Sequence, residues 1–127
     1  MKNGISTLSI IPLRKEPSHR SEIVSQILFG ETYEVLNKSE SWLQVRCHYD
    51  DYEGWMDLIQ HHELSEKDFT AISQGEYGVA LELVSNAASS QHSIPVVAGS
   101  TLPFFDGLNF KIGKEKFIYN GQAVAHE

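Results

Sequence analysis

The sequence contains one cysteine, no long apolar segment and few basic residues. Cys47 is the single cysteine, so no disulfide can form within the chain. The apolar run "IIPL" near the N-terminus is interrupted by Pro12. It is far shorter than the ~7–15 apolar residues of an export signal or the ~20 of a membrane helix. We therefore expect no membrane partner and a cytoplasmic location, or a periplasmic or cell-envelope location if an export signal has been removed.

Positive charge is also scarce. Ten Lys and Arg residues face seventeen Asp and Glu residues, which gives a net charge of -7. Such a surface repels nucleic-acid phosphates and anionic membranes, so neither is an expected partner. It suits a cation instead, including the free amino group of a peptide.

The first half of the chain is rich in short extended runs separated by Gly, Pro, Asn and Asp, a pattern typical of all-β proteins. In "WLQVRCHY", residues 42–49, the alternation predicts that Leu43, Val45, Cys47 and Tyr49 share one face. Five predicted strands within residues 1–60 indicate a small β-barrel. These strands cover residues 5–13, 23–29, 32–36, 42–49 and 55–59.

The second half repeats this character after one helical segment. Residues 61–74 predict a short helical linker, with Ser65 as N-cap and Asp68 three residues later. Strands then return in residues 75–127, with a hairpin predicted at Asp106-Gly107 and a turn at Asn120-Gly121. The segments "FGETYEVL" and "AGSTLPFF" share a weak internal similarity. The sequence therefore predicts an all-β protein with two small barrels in tandem, joined by the linker.

The candidates for covalent or metal chemistry are poor. Cys47 and His48 are neighbours in a predicted strand, so their side chains point to opposite faces. Burial would also raise the pKa of the thiol. The pair His61-His62 has no second ligand cluster at a metal-binding spacing, and we interpret it as solvated linker. No phosphate-loop, zinc-protease or serine-hydrolase motif occurs in the sequence. We predict no catalytic residue, no metal and no cofactor.

Two polar loops remain, "RKEPS" at residues 14–18 and "DYEGW" at residues 51–55. If they meet at one end of the barrel, Glu16 and Tyr52 flank a shallow cleft. A carboxylate beside a phenol is a natural receptor for a ligand ammonium group. The alternative is that both loops are purely structural, with Trp55 packed in the core and Gly54 permitting a tight turn into the last strand.

A resemblance to a known family extends this hypothesis. The segments "PLRKEPSHRSEIVSQILFGETYEVL", "YEGW" and "VVAGSTLPFFDG" resemble the N-terminal region of NlpC-type cysteine peptidases. In that family two SH3-like barrels, called SH3b, precede a papain-like domain that cleaves the γ-D-glutamyl–diamino-acid bond of murein peptides. The resemblance implies that Glu16 and Tyr52 hold the free amine of the terminal L-Ala, together with an aspartate from the catalytic domain.

The resemblance also implies what this chain does not do by itself. The Asp-Cys-Ser-Gly nucleophile motif of the family is absent from the sequence. We therefore expect a non-catalytic SH3b module whose partners are a murein peptide and a papain-like domain, C-terminal in the full-length protein. Two alternatives remain. One is a free-standing SH3-like adaptor for proline-rich or extended peptides, although such grooves need several aromatics and residues 1–28 contain none. The other is a cell-wall-binding domain.

Overall fold

The computed structural model describes residues 2–126. They form two compact units, Met1–Ser65 (unit 1) and Glu66–Glu127 (unit 2). Strands dominate both units, and the chain has the predicted all-β character. Within residues 2–126, no helix is long and apolar enough to cross a membrane.

In its described part, unit 1 contains seven strands, two more than the sequence predicts. They are β1 (Asn3–Ile5), β2 (Ile10–Arg14), β3 (Ile23–Leu28), β4 (Thr32–Ser39), β5 (Trp42–Cys47), β6 (Glu53–Asp57) and β7 (Glu63–Leu64). All their pairings are antiparallel, and the strand order is β3-β2-β6-β5-β4-β1-β7. The two additional strands come from the segments at either end, since β1 pairs with β7.

The core of unit 1 follows the alternation of the strands. Side chains at every second position of β2 and β5 point inward, as the period of two requires. Burial of each such aliphatic side chain stabilises the folded state by about 1.5–3 kcal/mol relative to its exposure to water. The buried cluster consists of Ile11, Leu13, Ile27, Tyr33, Leu43, Val45, Cys47 and Met56.

Two aromatic residues do not lie where the sequence predicts. Tyr49 is 84% exposed, because β5 ends at Cys47 and the chain turns, with the Asp51 amide donating to the Cys47 carbonyl at 2.9 Å. Trp55 is half-buried, whereas its neighbour Met56 is fully buried. The inward position in β6 therefore belongs to Met56, and the prediction that Trp55 packs in the core is wrong.

Side chains that bond to nearby backbone groups explain the shifted strand boundaries. The predicted strand 5–13 is interrupted because the Ser6 hydroxyl donates to the Leu8 carbonyl at 2.8 Å. The predicted strand 55–59 stops at Asp57, whose carboxylate accepts from the Ile59 amide at 3.1 Å. This bond caps a short 3-10 helix, Leu58–Gln60.

Up to residue 126, unit 2 consists of one helix and seven strands. They are α1 (Glu66–Gln74), β8 (Tyr77–Ala80), β9 (Val84–Ala88), β10 (Ser93–Val97), β11 (Thr101–Pro103), β12 (Asn109–Ile112), β13 (Glu115–Asn120) and β14 (Ala123–His126). The strands form a four-stranded sheet, β10-β9-β13-β12, and a three-stranded sheet, β11-β8-β14. The helix begins at Glu66, directly after the predicted N-cap Ser65. The first residues of the predicted linker include β7, which pairs with β1.

The prediction of a hairpin at Asp106-Gly107 is wrong, although a turn is present. Gly107 has φ 106°, a conformation that favours glycine. The Asp106 carboxylate accepts from the amides of Leu108 and Asn109 at 3.0 and 2.6 Å. However, β11 pairs with β8 and β12 pairs with β13, so the turn connects two sheets. The hairpin is β12–β13.

The strand pairing of unit 1 recurs in unit 2 when β8 to β14 are matched in order with β1 to β7. The pairs β1–β4, β1–β7, β2–β3, β2–β6 and β5–β6 each have a counterpart. The pair β4–β5 of unit 1 has none within the described part of unit 2, where the corresponding strands belong to different sheets.

One turn is repeated down to its backbone hydrogen bonds. In unit 1 the Gly30 amide donates to the Ser6 carbonyl, and the Ser6 amide donates to the Glu31 carbonyl, both at 2.9 Å. In unit 2 the Gly99 amide donates to the Ala80 carbonyl, and the Ala80 amide donates to the Ser100 carbonyl. Both glycines have positive φ, 79° and 90°. The weak similarity around "FGET" and "AGST" thus corresponds to one shared turn.

Candidate functional site

The candidate site lies where β2 ends and β6 begins. Arg14 of β2 is paired with Trp55 of β6 in antiparallel register. Antiparallel neighbours run in opposite directions, so the chain leaving β2 and the chain approaching β6 share one end of the sheet. Glu16 follows Arg14 by two residues, and Tyr52 precedes Trp55 by three. The two predicted site residues therefore belong to segments at adjoining strand ends.

Gly54 allows these two strands to approach closely. A Cβ atom at this position would lie 3.0 Å from the Leu13 Cβ and 3.3 Å from the Arg14 carbonyl oxygen. Real Cβ atoms rarely tolerate such contacts, so a larger residue would push β6 away from β2. Gly54 serves the close packing of strands and does so without a positive φ.

The loop that carries Glu16 is held by its own hydrogen bonds. The Glu16 amide donates to the Ser21 hydroxyl at 2.9 Å, and the Glu16 carbonyl accepts from the Ser18 amide at 2.8 Å. The Arg14 guanidinium donates to the Ser21 carbonyl at 2.9 Å. Glu16 itself is exposed. These contacts fix the backbone on both sides of Glu16 and leave its side chain facing water.

Tyr52 is presented in a similar way. Its amide donates to the Asp50 carboxylate at 3.1 Å, and its carbonyl accepts from the Cys47 amide at 2.9 Å. The preceding residue, Asp51, has φ 59°, a left-handed conformation that Asp tolerates better than most residues. The Tyr52 side chain is 43% exposed. Its backbone is therefore anchored while its ring remains accessible.

Glu53, next to Tyr52, is neutralised by Arg46. The guanidinium donates to the Glu53 carboxylate at 3.0 and 3.1 Å and to Glu34 at 3.2 Å. These carboxylates raise the pKa of Arg46, Glu53 most strongly. Among residues 2–126 the ion pairs of unit 1 do not include Glu16. Glu16 is thus a carboxylate available to an incoming cation.

The loop after β2 also covers an aromatic residue on the outer face of the sheet. The His19 ring meets the Trp42 ring edge-on, with centroids 4.7 Å apart. His19 Nε2 lies 3.5 Å from Asp57 Oδ2. Trp42 itself is 8% exposed. No motif in the sequence indicates these contacts of His19, which is marked only by its place in the long polar loop.

Cys47 lies in an environment that does not favour a nucleophilic thiolate. Burial raises the pKa of the Cys47 thiol to about 12. His48 Nδ1 lies 2.9 Å from the Thr32 hydroxyl, so the imidazole is engaged on another strand. The predicted separation of thiol and imidazole is therefore observed.

His61 differs from the prediction of a solvated linker residue. Its side chain is 6% exposed, and Nδ1 lies 2.8 Å from the hydroxyl of the fully buried Tyr33. Its Nε2 lies 2.9 Å from the Glu63 carboxylate. His61 therefore connects β4 to β7 through the core. Across residues 2–126, no group of three His, Cys, Asp or Glu side chains is arranged to hold a metal ion.

The corresponding end of unit 2 is occupied by its own side chains. Ser89 directly follows β9, in the place where the polar loop follows β2 in unit 1. Glu115 is the first residue of β13, as Glu53 is the first residue of β6. Glu115 Oε2 accepts from the Ser89 hydroxyl at 2.5 Å and lies 2.6 Å from His92 Nδ1. Because the serine bonds the carboxylate and not the imidazole, this is no nucleophile arrangement. No motif in the sequence indicates this cluster, because its residues come from the loop after β9 and from the start of β13.

Comparisons with known proteins agree with the fold. Residues 13–60 match the family model described as "Bacterial dipeptidyl-peptidase Sh3 domain". The chain is similar to the crystal structure of an NlpC/P60 family protein from Bacillus cereus, with a TM-score of 0.79 and 13% sequence identity. That similarity covers 98% of this chain and 56% of the other, so the chain spans little more than half of that protein. No curated protein matches the sequence.

At 13% identity the structural similarity establishes the fold alone, and the matched segment covers β3 to β6 and the loop that carries Glu16. Unit 1 therefore contains a segment that matches the bacterial SH3 domain family, within a chain whose fold is similar to that of an NlpC/P60 family protein.

Proposed function

We propose that this chain is a non-catalytic module of a murein-peptide hydrolase. It shapes the substrate cleft and recognises the free N-terminal amine of L-Ala-γ-D-Glu-diamino-acid peptides. The observation that supports this most is the β2–β6 register, which joins the segments of Glu16 and Tyr52 at one end of unit 1. A papain-like domain supplies the bond cleavage, and the chain itself hydrolyses nothing.

The chemistry of the site suits an ammonium group. The Glu16 carboxylate provides a charge-assisted hydrogen bond, and the Tyr52 hydroxyl and ring provide an acceptor and an apolar wall. Both groups are exposed, so solvent screens the interaction and binding to this chain alone is weak. A third ligand, an aspartate from the catalytic domain, would exclude water and strengthen it. Acetylation of the amine removes the charge that Glu16 recognises.

We further propose that both units are SH3-like barrels in tandem, at residues 1–60 and 75–127, joined by residues 61–74. The repeated strand pairing and the repeated turn at Gly30 and Gly99 support this proposal. The boundary between the compact units, after Ser65, falls within the proposed joining segment.

The adaptor hypothesis receives less support. A peptide-binding SH3 groove exposes several aromatics along one surface. Here Trp42 is covered by His19, and the loop that covers it contains no aromatic residue of the Phe, Tyr or Trp type. A proline-rich peptide would have to displace His19 and its contact with Asp57.

The proposed function is tested with the chain joined to its papain-like catalytic domain. Turnover of L-Ala-γ-D-Glu-diamino acid is compared with turnover of the N-acetylated peptide. We expect kcat/KM to fall roughly tenfold or more on acetylation, the magnitude of one charged hydrogen bond. Equal turnover of the two peptides would contradict amine recognition. The chain without the catalytic domain is the control and should show no hydrolysis.

A further inference from the structure

A cleft in unit 2 lies outside the site described above. It has a volume of about 400 Å³ and is lined by Phe104, Asp106, Asn109, Phe110, Lys111 and Lys116. This volume falls within the range of about 300–1,000 Å³ typical of small-molecule sites. Two cations and aromatic surface thus converge on one concave site.

The two lysines form a like-charged pair. Lys111 of β12 is directly opposite Lys116 of β13, an arrangement that destabilises a sheet unless a counter-charge is present. Among residues 2–126, the ion pairs do not include either lysine. The Glu115 carboxylate, between Lys114 and Lys116 in sequence, is bonded to Ser89 and His92. The pair therefore concentrates positive charge in a protein whose net charge is -7.

Phe104 forms an apolar wall beside Lys111. Its φ is 57°, which is strained for a bulky residue, and such strain often accompanies functional sites. The Phe104 amide donates to the Glu76 carbonyl at 2.8 Å. A Cβ atom on Gly75 would collide with the Phe104 ring in its observed position. The Lys111 ammonium lies 5.2 Å from the centroid of this ring.

Asp106 limits the charge of the ligand. Its carboxylate accepts from the Asn109 and Leu108 amides, and these bonds, Asn109 first, lower the pKa of Asp106. Asp106 therefore remains ionised and contributes one negative charge to a cleft with two positive charges. The three charges sum to +1, so one carboxylate neutralises the cleft, whereas the dianionic form of inorganic phosphate would leave a net negative charge beside Asp106.

We propose that this cleft binds a small monocarboxylate with an adjacent apolar group, such as the C-terminal end of a peptide. Lys111 and Lys116 hold the carboxylate, and Phe104 contacts the apolar portion. This site does not depend on the amine site proposed for unit 1.

The test is a titration of the ¹⁵N-labelled chain with N-acetyl-phenylalanine, its amide and inorganic phosphate, each followed by amide chemical shifts. We expect saturable shifts at Phe104, Lys111 and Lys116 with the acid only. Lys111→Gln and Lys116→Gln should each weaken binding about fivefold, as expected for loss of one charged partner at an exposed site. Lys114→Gln is the matched control, because it removes the same charge from the same hairpin outside the cleft.

Three results would overturn the proposal. They are equal binding of the acid and the amide, equal weakening by Lys114→Gln, and tighter binding of phosphate than of the carboxylate. Absence of saturable shifts with the acid would also exclude the site. The amide spectra of the three variants, compared with that of the parent chain, establish that each remains folded.

Discussion

Arg14 lies directly opposite Trp55 in the antiparallel pair of β2 and β6. This one register pair determines which loops share an end of unit 1, because the chain continues from Arg14 to Glu16 and reaches Trp55 from Tyr52. Gly54 makes the contact possible, since a Cβ atom there would press against Leu13. The proposed recognition of an amine follows from a close approach of two strands.

Glu16→Gln should weaken amine recognition without changing the fold. In the protein joined to its catalytic domain, we expect kcat/KM for the free-amine peptide to fall roughly tenfold, because the amide has no charge to pair with an ammonium. Kinetics on the acetylated peptide should be unchanged. Glu22→Gln in the same loop is the control, since Glu22 is exposed and lies 4.0 Å from Lys15. If the two variants lose activity equally, Glu16 has no specific role.

Tyr33→Phe should destabilise unit 1. The substitution removes the hydroxyl that lies 2.8 Å from His61 Nδ1 and leaves a buried imidazole nitrogen without that partner. We expect a loss of about 1–3 kcal/mol in the free energy of unfolding. Both tryptophans, Trp42 and Trp55, are in unit 1, so urea denaturation followed by tryptophan fluorescence reports on this unit. Tyr49→Phe, at an 84% exposed residue, should change stability by less than about 0.5 kcal/mol.

The stability of unit 1 should fall in alkaline solution through Cys47. Its pKa rises from 9.0 to about 12 on burial, so the folded state retains a proton that the unfolded state loses. The stabilisation is complete below pH 9 and is lost as the pH rises towards 12. Burial also raises the pKa of Tyr33 above its ordinary value of 10, so Tyr33 affects stability mainly above pH 10. Between pH 9 and 10 the change in stability therefore reports mainly on the Cys47 thiol. Urea denaturation there should show a steeper loss for the parent chain than for Cys47→Ala, and parallel slopes would contradict this.

His19→Ala should expose Trp42. In a Trp55→Phe background, Trp42 is the remaining tryptophan, and loss of the His19 ring from its edge should shift its emission to the red and increase quenching by acrylamide. The expected cause is water access to an indole that is 8% exposed in the parent chain. Arg20→Ala, at the neighbouring exposed position, is the control. An unchanged spectrum in His19→Ala would mean that the loop does not cover Trp42 in solution.

The sequence predicts the strands well where alternation along the strand alone determines which side chains are buried. The alternation in β5 correctly places Leu43, Val45 and Cys47 in the core. It fails at Tyr49 because the strand ends at Cys47, and strand ends depend on turn hydrogen bonds. In β6, hydrophobicity alone does not show whether Trp55 or Met56 points into the core. The pairing of Trp55 with Arg14 in the structure decides this.

The site was predictable in part. The carboxylate and the phenol in the two loops indicate Glu16 and Tyr52 as candidate ligands of an ammonium group. The sequence does not predict the register of β2 and β6 that brings their segments to one end of the sheet. The contacts of His19 and of His61 join residues far apart in the chain, as does the cluster of Ser89, His92 and Glu115. No local pattern encodes such contacts, so they became visible only with the fold.

The most direct measurement is a titration of the ¹⁵N-labelled chain itself with L-Ala-γ-D-Glu-diamino acid and with its N-acetylated form. We expect weak, saturable shifts around Glu16 and Tyr52 with the free-amine peptide, and we expect them to be largely lost after acetylation and in Glu16→Gln. Equal shifts with both peptides, or shifts confined to residues remote from these two, would contradict it.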